Sequence, residues 1–219
     1  MGTGVALKIC GVRRVEDLRV CTELGVDAIG LNLWPGSRRY LDLAAATPLL
    51  ETWPSPGPTR VAVIVERSAA ELDADPLLEA FDAIQPHGDA PVEPYALLAE
   101  RRGLDWVWVV RGTPKLDSLR VPAPAPAWIL LDAAVAGYGG AGKTTDWAWA
   151  AEAVEALAPI PVWLAGGLRP DNVAAAIAEV RPAGIDVASG AEQAGATSGE
   201  KDPEAIAALV RACRAGRGP

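Results

Sequence analysis

Two residues near the start of the chain share a face that needs a chemical reason. If Val5 to Cys10 of "VALKIC" form a strand, alternation puts Lys8 and Cys10 on one side and Leu7 and Ile9 on the other. Further on, residues suited to acid–base or anion-binding chemistry stand where apolar runs end: Arg38 and Arg39, His87, Asp132, the pair Gly166 and Gly167, and the pair Ser189 and Gly190. A thiol and a carboxylate can exchange protons with a substrate, and a glycine turn can offer backbone N–H groups to an anion. "GYGGAGKT", from Gly137 to Thr144, also satisfies the G-x-x-x-x-G-K-T pattern of a nucleotide-binding loop. Singly, each has an ordinary reading as a core cysteine, a loop cap, a structural histidine or a tight turn. Their positions decide whether they act together.

Those positions follow from a repeating rhythm. "VALKI", "DAIGLNL", "RVAVIV", "DAIQ", "WVWVV", "WILLD", "PVWLAGG" and "GIDVASG" read as strands starting near positions 5, 27, 60, 83, 106, 128, 162 and 184, recurring about every 25 residues. Helices are expected between them: Val15 to Leu24 closed by Gly25, Leu43 to Glu51, Ala69 to Glu79, Val92 to Arg101, a weakly signalled one around Leu116, and others from Asp146, Asp171 and Pro203. Eight strand–helix units predict a single-domain (β/α)₈ barrel over residues 1–219, with a doubly wound open sheet as the alternative. The proline-rich stretches "TWPSPGPTR" and "VPAPAPAW" read as stiff connections within the domain. In a barrel the ends of the strands converge on one mouth, which is where the residues named above stand. The nucleotide reading then weakens, because only two strands follow "GYGGAGKT" and a barrel lacks the nucleotide crevice. Those glycines fit a flap over the mouth better.

Composition excludes several classes. Half of the 219 residues are hydrophobic, yet no apolar run approaches the roughly 20 residues of a membrane helix. A formal charge of −8 disfavours nucleic acid and anionic membranes as partners, so an anionic substrate needs a local positive site. Cys10, Cys21 and Cys213 form no C-x-x-C pair and His87 is the sole histidine, which disfavours a metal centre and fits reduced thiols. The start shows no secretory pattern, so a cytoplasmic location is expected. Oligomeric state is left open.

"KICGVRRVEDL", "DAIGLNLWPGSRRYL", "IQPHGD", "LLDAAVAGYGGAGKTTDW", "LAGGLRPDNV" and "GIDVASGAEQAGATSGEKD" resemble, in order and spacing, the strand-end motifs of the phosphoribosylanthranilate isomerases of tryptophan biosynthesis. The resemblance implies a (β/α)₈ barrel that rearranges an aldose to a ketose in N-(5-phosphoribosyl)anthranilate, with no cofactor. It casts Cys10 as general base, Asp132 as general acid and Arg39 as partner of the anthranilate carboxylate. The substrate phosphate would lie on Gly166, Gly167, Ser189 and Gly190, and Trp34 is a candidate to lie against the anthranilate ring. Asp132 would have to be held protonated and Cys10 to reach the thiolate, the two facing each other across the sugar. Inside the barrel an unpaired ammonium is costly, so Lys8 calls for a partner, and Asp186 on the neighbouring last strand is the nearest candidate. A buried ion pair and a direct role in lowering the Cys10 pKa both stay open for Lys8. Two departures stand out: Glu66 replaces the Asn or Asp that follows the third strand, and the loop after "SGAE" lacks the usual proline and is about three residues longer. A non-catalytic phosphosugar-binding barrel is the alternative function. The histidine-pathway sugar isomerase is a more distant rival, because its base position is an aspartate.

Overall fold

The computed structural model describes residues 4–133 and 144–215. Eight strands, β1 (Ala6–Cys10), β2 (Ala28–Asn32), β3 (Thr59–Val65), β4 (Ala83–His87), β5 (Asp105–Arg111), β6 (Trp128–Asp132), β7 (Val162–Leu164) and β8 (Gly184–Val187), pair in parallel and in chain order. β8 returns to β1 and closes the sheet, with Lys8 opposite Asp186 across that last seam. The open-sheet alternative is thereby excluded.

Seven helices cover the barrel among the described residues: α1 (Val15–Leu24), α2 (Leu43–Glu51), α3 (Ala69–Asp73), α4 (Glu93–Arg102), α5 (Trp147–Ala156), α6 (Val173–Val180) and α7 (Pro203–Ala215). Two expected helices differ. The helix expected over Ala69 to Glu79 stops at Asp73, and a separate 3-10 turn runs over Pro76–Ala80. Pro76 has no N–H to continue the ladder, and Asp75 caps the new turn by accepting from the Leu77 N–H at 2.9 Å. Around Leu116 only a 3-10 turn, Leu116–Ser118, forms between β5 and β6. The prolines that follow it leave too few N–H groups for a helix.

Strand alternation sorts the core into two layers. Leu7, Ile9, Ile29, Ile64 and Ile129 face the helices, whereas Ala28, Val61, Ala83, Val107 and Leu130 face inward. The inner floor is a stacked pair, Trp128 and Trp163, with ring centroids 5.1 Å apart. Gly184 makes room for it, since a Cβ there would lie 2.4 Å from the Trp163 ring. Other tryptophans pin connections that contain proline. Trp53 Nε1 donates to the Pro58 carbonyl at 2.8 Å, Trp106 Nε1 to that of Pro124 at 3.2 Å, and Trp149 Nε1 to that of Pro114 at 3.0 Å. Segments poor in N–H donors thus receive theirs from indoles. No helix among the described residues is long and apolar enough to cross a membrane.

Candidate active site

Cys10 ends β1 and Asp132 ends β6, so the two stand on different sides of one mouth. Beneath Cys10, alternation brings Lys8 inward, fully buried, with its Nζ 2.7 Å from Asp186 Oδ2. Gly30 on the adjacent strand leaves the space they need, since a Cβ there would lie 2.9 Å from Lys8 Nζ and 3.1 Å from Cys10 Sγ. Burial alone would push the Lys8 ammonium down, but Asp186 and the neighbouring Cys10 hold its pKa above the ordinary value. For Cys10 the balance runs the other way. Burial pushes the thiol up, and the pull of Lys8, Lys201 and Arg39 toward thiolate does not overcome it. The resting group is a thiol, and Lys8 supplies an opposing field rather than a lowered pKa.

Asp132 is half-buried and accepts the Ala133 N–H at Oδ1, 2.9 Å away. Burial first, and the Asp186 charge second, push its pKa up to about 6, against the pull of that N–H, Arg111 and Lys8. A carboxyl so placed can carry a proton near neutrality. His87 closes β4 instead of following it, and its pKa is pushed down to about 3 by burial and by the Lys8 and Arg111 charges. It is a neutral imidazole, with Gln85 Nε2 2.8 Å from its Nε2. If that amide nitrogen donates there, the ring proton sits on Nδ1.

At the other end of the mouth the turns after β7 and β8 touch. Gly166 and Gly167 have φ of +89° and +62°, and Ser189–Ala191 forms a 3-10 turn. A Cβ on Gly190 would lie 1.9 Å from the Leu168 carbonyl oxygen, so only glycine allows the two turns to meet. Asn172 holds the first of them, donating from Nδ2 to the Gly167 carbonyl at 3.0 Å and accepting the Arg169 N–H at 2.8 Å.

Arg39 is buried beside Cys10, its stem over Gly11, where a Cβ would lie 2.2 Å from Arg39 Cδ. Its carboxylate partner in this structure is Glu192, whose Oε1 accepts from Arg39 Nε at 2.5 Å. Arg38 Nη2 meets the other oxygen of Glu192. Lys201, fully buried, donates to the Cys10 carbonyl at 2.7 Å and the Ala188 carbonyl at 3.1 Å. Trp34 lies half-buried on the β2–α2 connection, its ring over Gly36. The "GYGGAGKT" stretch, with the flap expected of it, lies outside the described residues except for Thr144.

Glu192, Lys201, Gln85 and Arg111 were not among the residues singled out from sequence. Gln85 was within reach, because two positions before His87 on one strand it shares the inward face. Arg111 likewise stands opposite Asp132 in register.

A family model described as N-(5'-phosphoribosyl)anthranilate isomerase matches residues 7–212. The chain belongs to the phosphoribosylanthranilate isomerase family. Among curated relatives, the N-(5'-phosphoribosyl)anthranilate isomerase of Myxococcus xanthus is 41% identical, covering 96% of each chain. The crystal structure of phosphoribosyl anthranilate isomerase from Thermotoga maritima superposes with a TM-score of 0.78 at 31% identity, covering 95% of this chain and 98% of that one. A further phosphoribosylanthranilate isomerase structure, holding reduced 1-(o-carboxyphenylamino)-1-deoxyribulose 5-phosphate, superposes with a TM-score of 0.75 at 29% identity, covering 95% and 98%. As in other isomerases acting on sugars, what such a site has to supply is an acid and a base on one substrate.

Proposed function

We propose that this chain converts N-(5-phosphoribosyl)anthranilate to 1-(2-carboxyphenylamino)-1-deoxyribulose 5-phosphate by general acid–base catalysis, without a cofactor. One observation carries the reading: a carboxyl whose pKa is raised to about 6 and a half-buried thiol over an ammonium end two strands of one mouth. Asp132 gives its proton to the furanose ring oxygen as the C–O bond opens and the imine forms. Cys10 then takes the proton from C2, and the enolamine that results tautomerises to the ketone. Lys8 favours the thiolate while it lasts. In the resting protein the proton sits mostly on Cys10 and not on Asp132, so the reactive arrangement is the minor one of two that carry the same total charge. An incoming dianionic phosphate near Asp132 would favour its protonated form.

The substrate phosphate rests on the backbone N–H groups of the Gly166–Gly167 and Ser189–Gly190 turns, the carboxylate on Arg39, and the anthranilate ring beside Trp34. Gly190 supports the phosphate assignment, since the contact it permits brings the two turns together. The three cysteines are free thiols, in keeping with a reducing cytoplasm.

The test is turnover of the ribotide by the purified protein, followed by chromatography of the ketose. Cys10→Ser and Asp132→Asn should each lower kcat by on the order of 10²-fold or more while still binding a reduced ketose product analogue. A wild-type protein that binds the analogue and never turns over the ribotide would be the non-catalytic phosphosugar-binding barrel instead.

A further inference from the structure

Glu192 stands at the centre of a cluster of which the reaction as described uses only Arg39. Its side chain is 5% exposed, and three cations converge on it: Arg39 Nε at 2.5 Å, Lys201 Nζ at 3.4 Å and Arg38 Nη2. One carboxylate against three cations leaves an excess of positive charge at this end of the mouth, in a chain whose formal charge is −8. The excess is not spread evenly. Among the described residues Arg39 Nη2, though buried, has no hydrogen-bond partner, an unsatisfied donor on the guanidinium that Glu192 holds by its Nε edge.

We propose that Glu192 is a positioning residue: it orients the Arg39 guanidinium for the substrate's carboxylate and, through Lys201, fixes that guanidinium in register with the base on β1. The proposal rests on the isomerase reading. Anchoring one edge of a guanidinium leaves its remaining N–H groups in a fixed plane, which is what two-point recognition of a carboxylate requires. The anchor is itself tied down. Lys201 bonds the Cys10 carbonyl and the Ala188 carbonyl, the latter one residue before the Ser189 turn. Two buried side chains thus join the proposed carboxylate, base and phosphate positions. Glycine keeps the cluster closed, since a Cβ on Gly199 would lie 3.1 Å from both Arg39 Cγ and Glu192 Oε1. Arg38 Nη1 also bonds the Ala196 carbonyl at 2.9 Å, and Arg13 Nη1 the Ser198 carbonyl at 3.1 Å, which fasten the loop carrying Gly199 over the pair.

Glu192→Gln keeps the size of the side chain and removes its charge. The test compares this variant with wild type on two substrates, the anthranilate ribotide and the same ribotide built on aniline, which lacks the carboxylate. The expected result is a KM for the anthranilate ribotide raised about tenfold or more, kcat within about threefold, and kcat/KM for the aniline ribotide unchanged. Glu192→Asp, which restores the charge on a shorter arm, should fall between the two and keeps the test valid if the Gln variant folds poorly. Equal losses on both substrates would mean a structural role only, and a lowered KM would mean that Glu192 competes with substrate for Arg39. Either overturns the proposal. If wild type turns over neither ribotide, the isomerase reading fails. The positioning role is then decided by the binding ratio of reduced ketose analogues with and without the carboxylate.

Discussion

Asp132→Asn should stabilise the protein above pH 6 while removing its acid. Folding raises this carboxyl from an ordinary 3.8 to about 6, chiefly because burial penalises the anion. A group with a higher pKa in the folded than in the unfolded state contributes stability that is fully present below pH 3.8 and lost as the pH rises through about 6. A displacement of about two pH units corresponds to roughly 3 kcal/mol. That is an upper bound, because Asp132 keeps some exposure and solvent screens its charge. Asparagine has the same shape, can still accept the Ala133 N–H, and never charges. For a chain of this length about 3 kcal/mol is a Tm gain of roughly 6–12 °C at pH 8, shrinking to nothing near pH 4. Thermal melts of wild type and variant by circular dichroism at pH 4, 5, 6, 7 and 8 measure it. Equal Tm values at pH 8, or a gain of the same size at pH 4, would refute the argument that Asp132 is held against its charge by the fold.

Three other outcomes are expected. Because activity needs one proton between Asp132 and Cys10, kcat/KM should rise as the pH passes about 6 and fall only above the ordinary thiol range, and a profile that falls through pH 6 would count against the pair. Lys8→Met and Asp186→Asn should each cost about 3–5 kcal/mol by leaving a buried charge alone, and the double variant less than the sum, measured by denaturant unfolding. Glu66, one residue past β3 with φ of +55°, occupies backbone that suits Asn better, but the residue makes an interaction of its own, so Glu66→Asn should leave the urea midpoint within the equivalent of about 1 kcal/mol of wild type as the two effects oppose each other.

Much of the barrel was legible because its signals are local. Strand alternation put Lys8 beneath Cys10, and closure of eight parallel strands named Asp186 as the neighbour across the seam. Where the structure departs from hydrophobic spacing the cause is also local: Pro76 ends a helix that spacing alone carries through to Glu79. Glu192 and Lys201 were illegible for a different reason. They lie in a glycine-rich loop without periodicity, and their partners Arg38, Arg39 and Cys10 are more than 150 residues away in sequence. Nothing short of the closed barrel states that a carboxylate in that loop meets three cations. The sign of the Cys10 shift was equally hidden, because it depends on how far burial outweighs the Lys8 charge.

The tryptophans have a consequence for supply. Five of the eight hold the barrel floor or the connections between its elements, and three of them, Trp53, Trp106 and Trp149, supply a broad apolar face and an N–H donor together. Phenylalanine lacks the donor, so those three are hard to replace. In an enzyme of tryptophan biosynthesis, each new copy therefore draws eight molecules from the pool it refills. Ribosomes translating this message slow as charged tryptophan tRNA runs low, so new synthesis falls when demand is greatest. Each copy made during a tryptophan shortage therefore has to turn over substrate at least eight times before it repays its own synthesis.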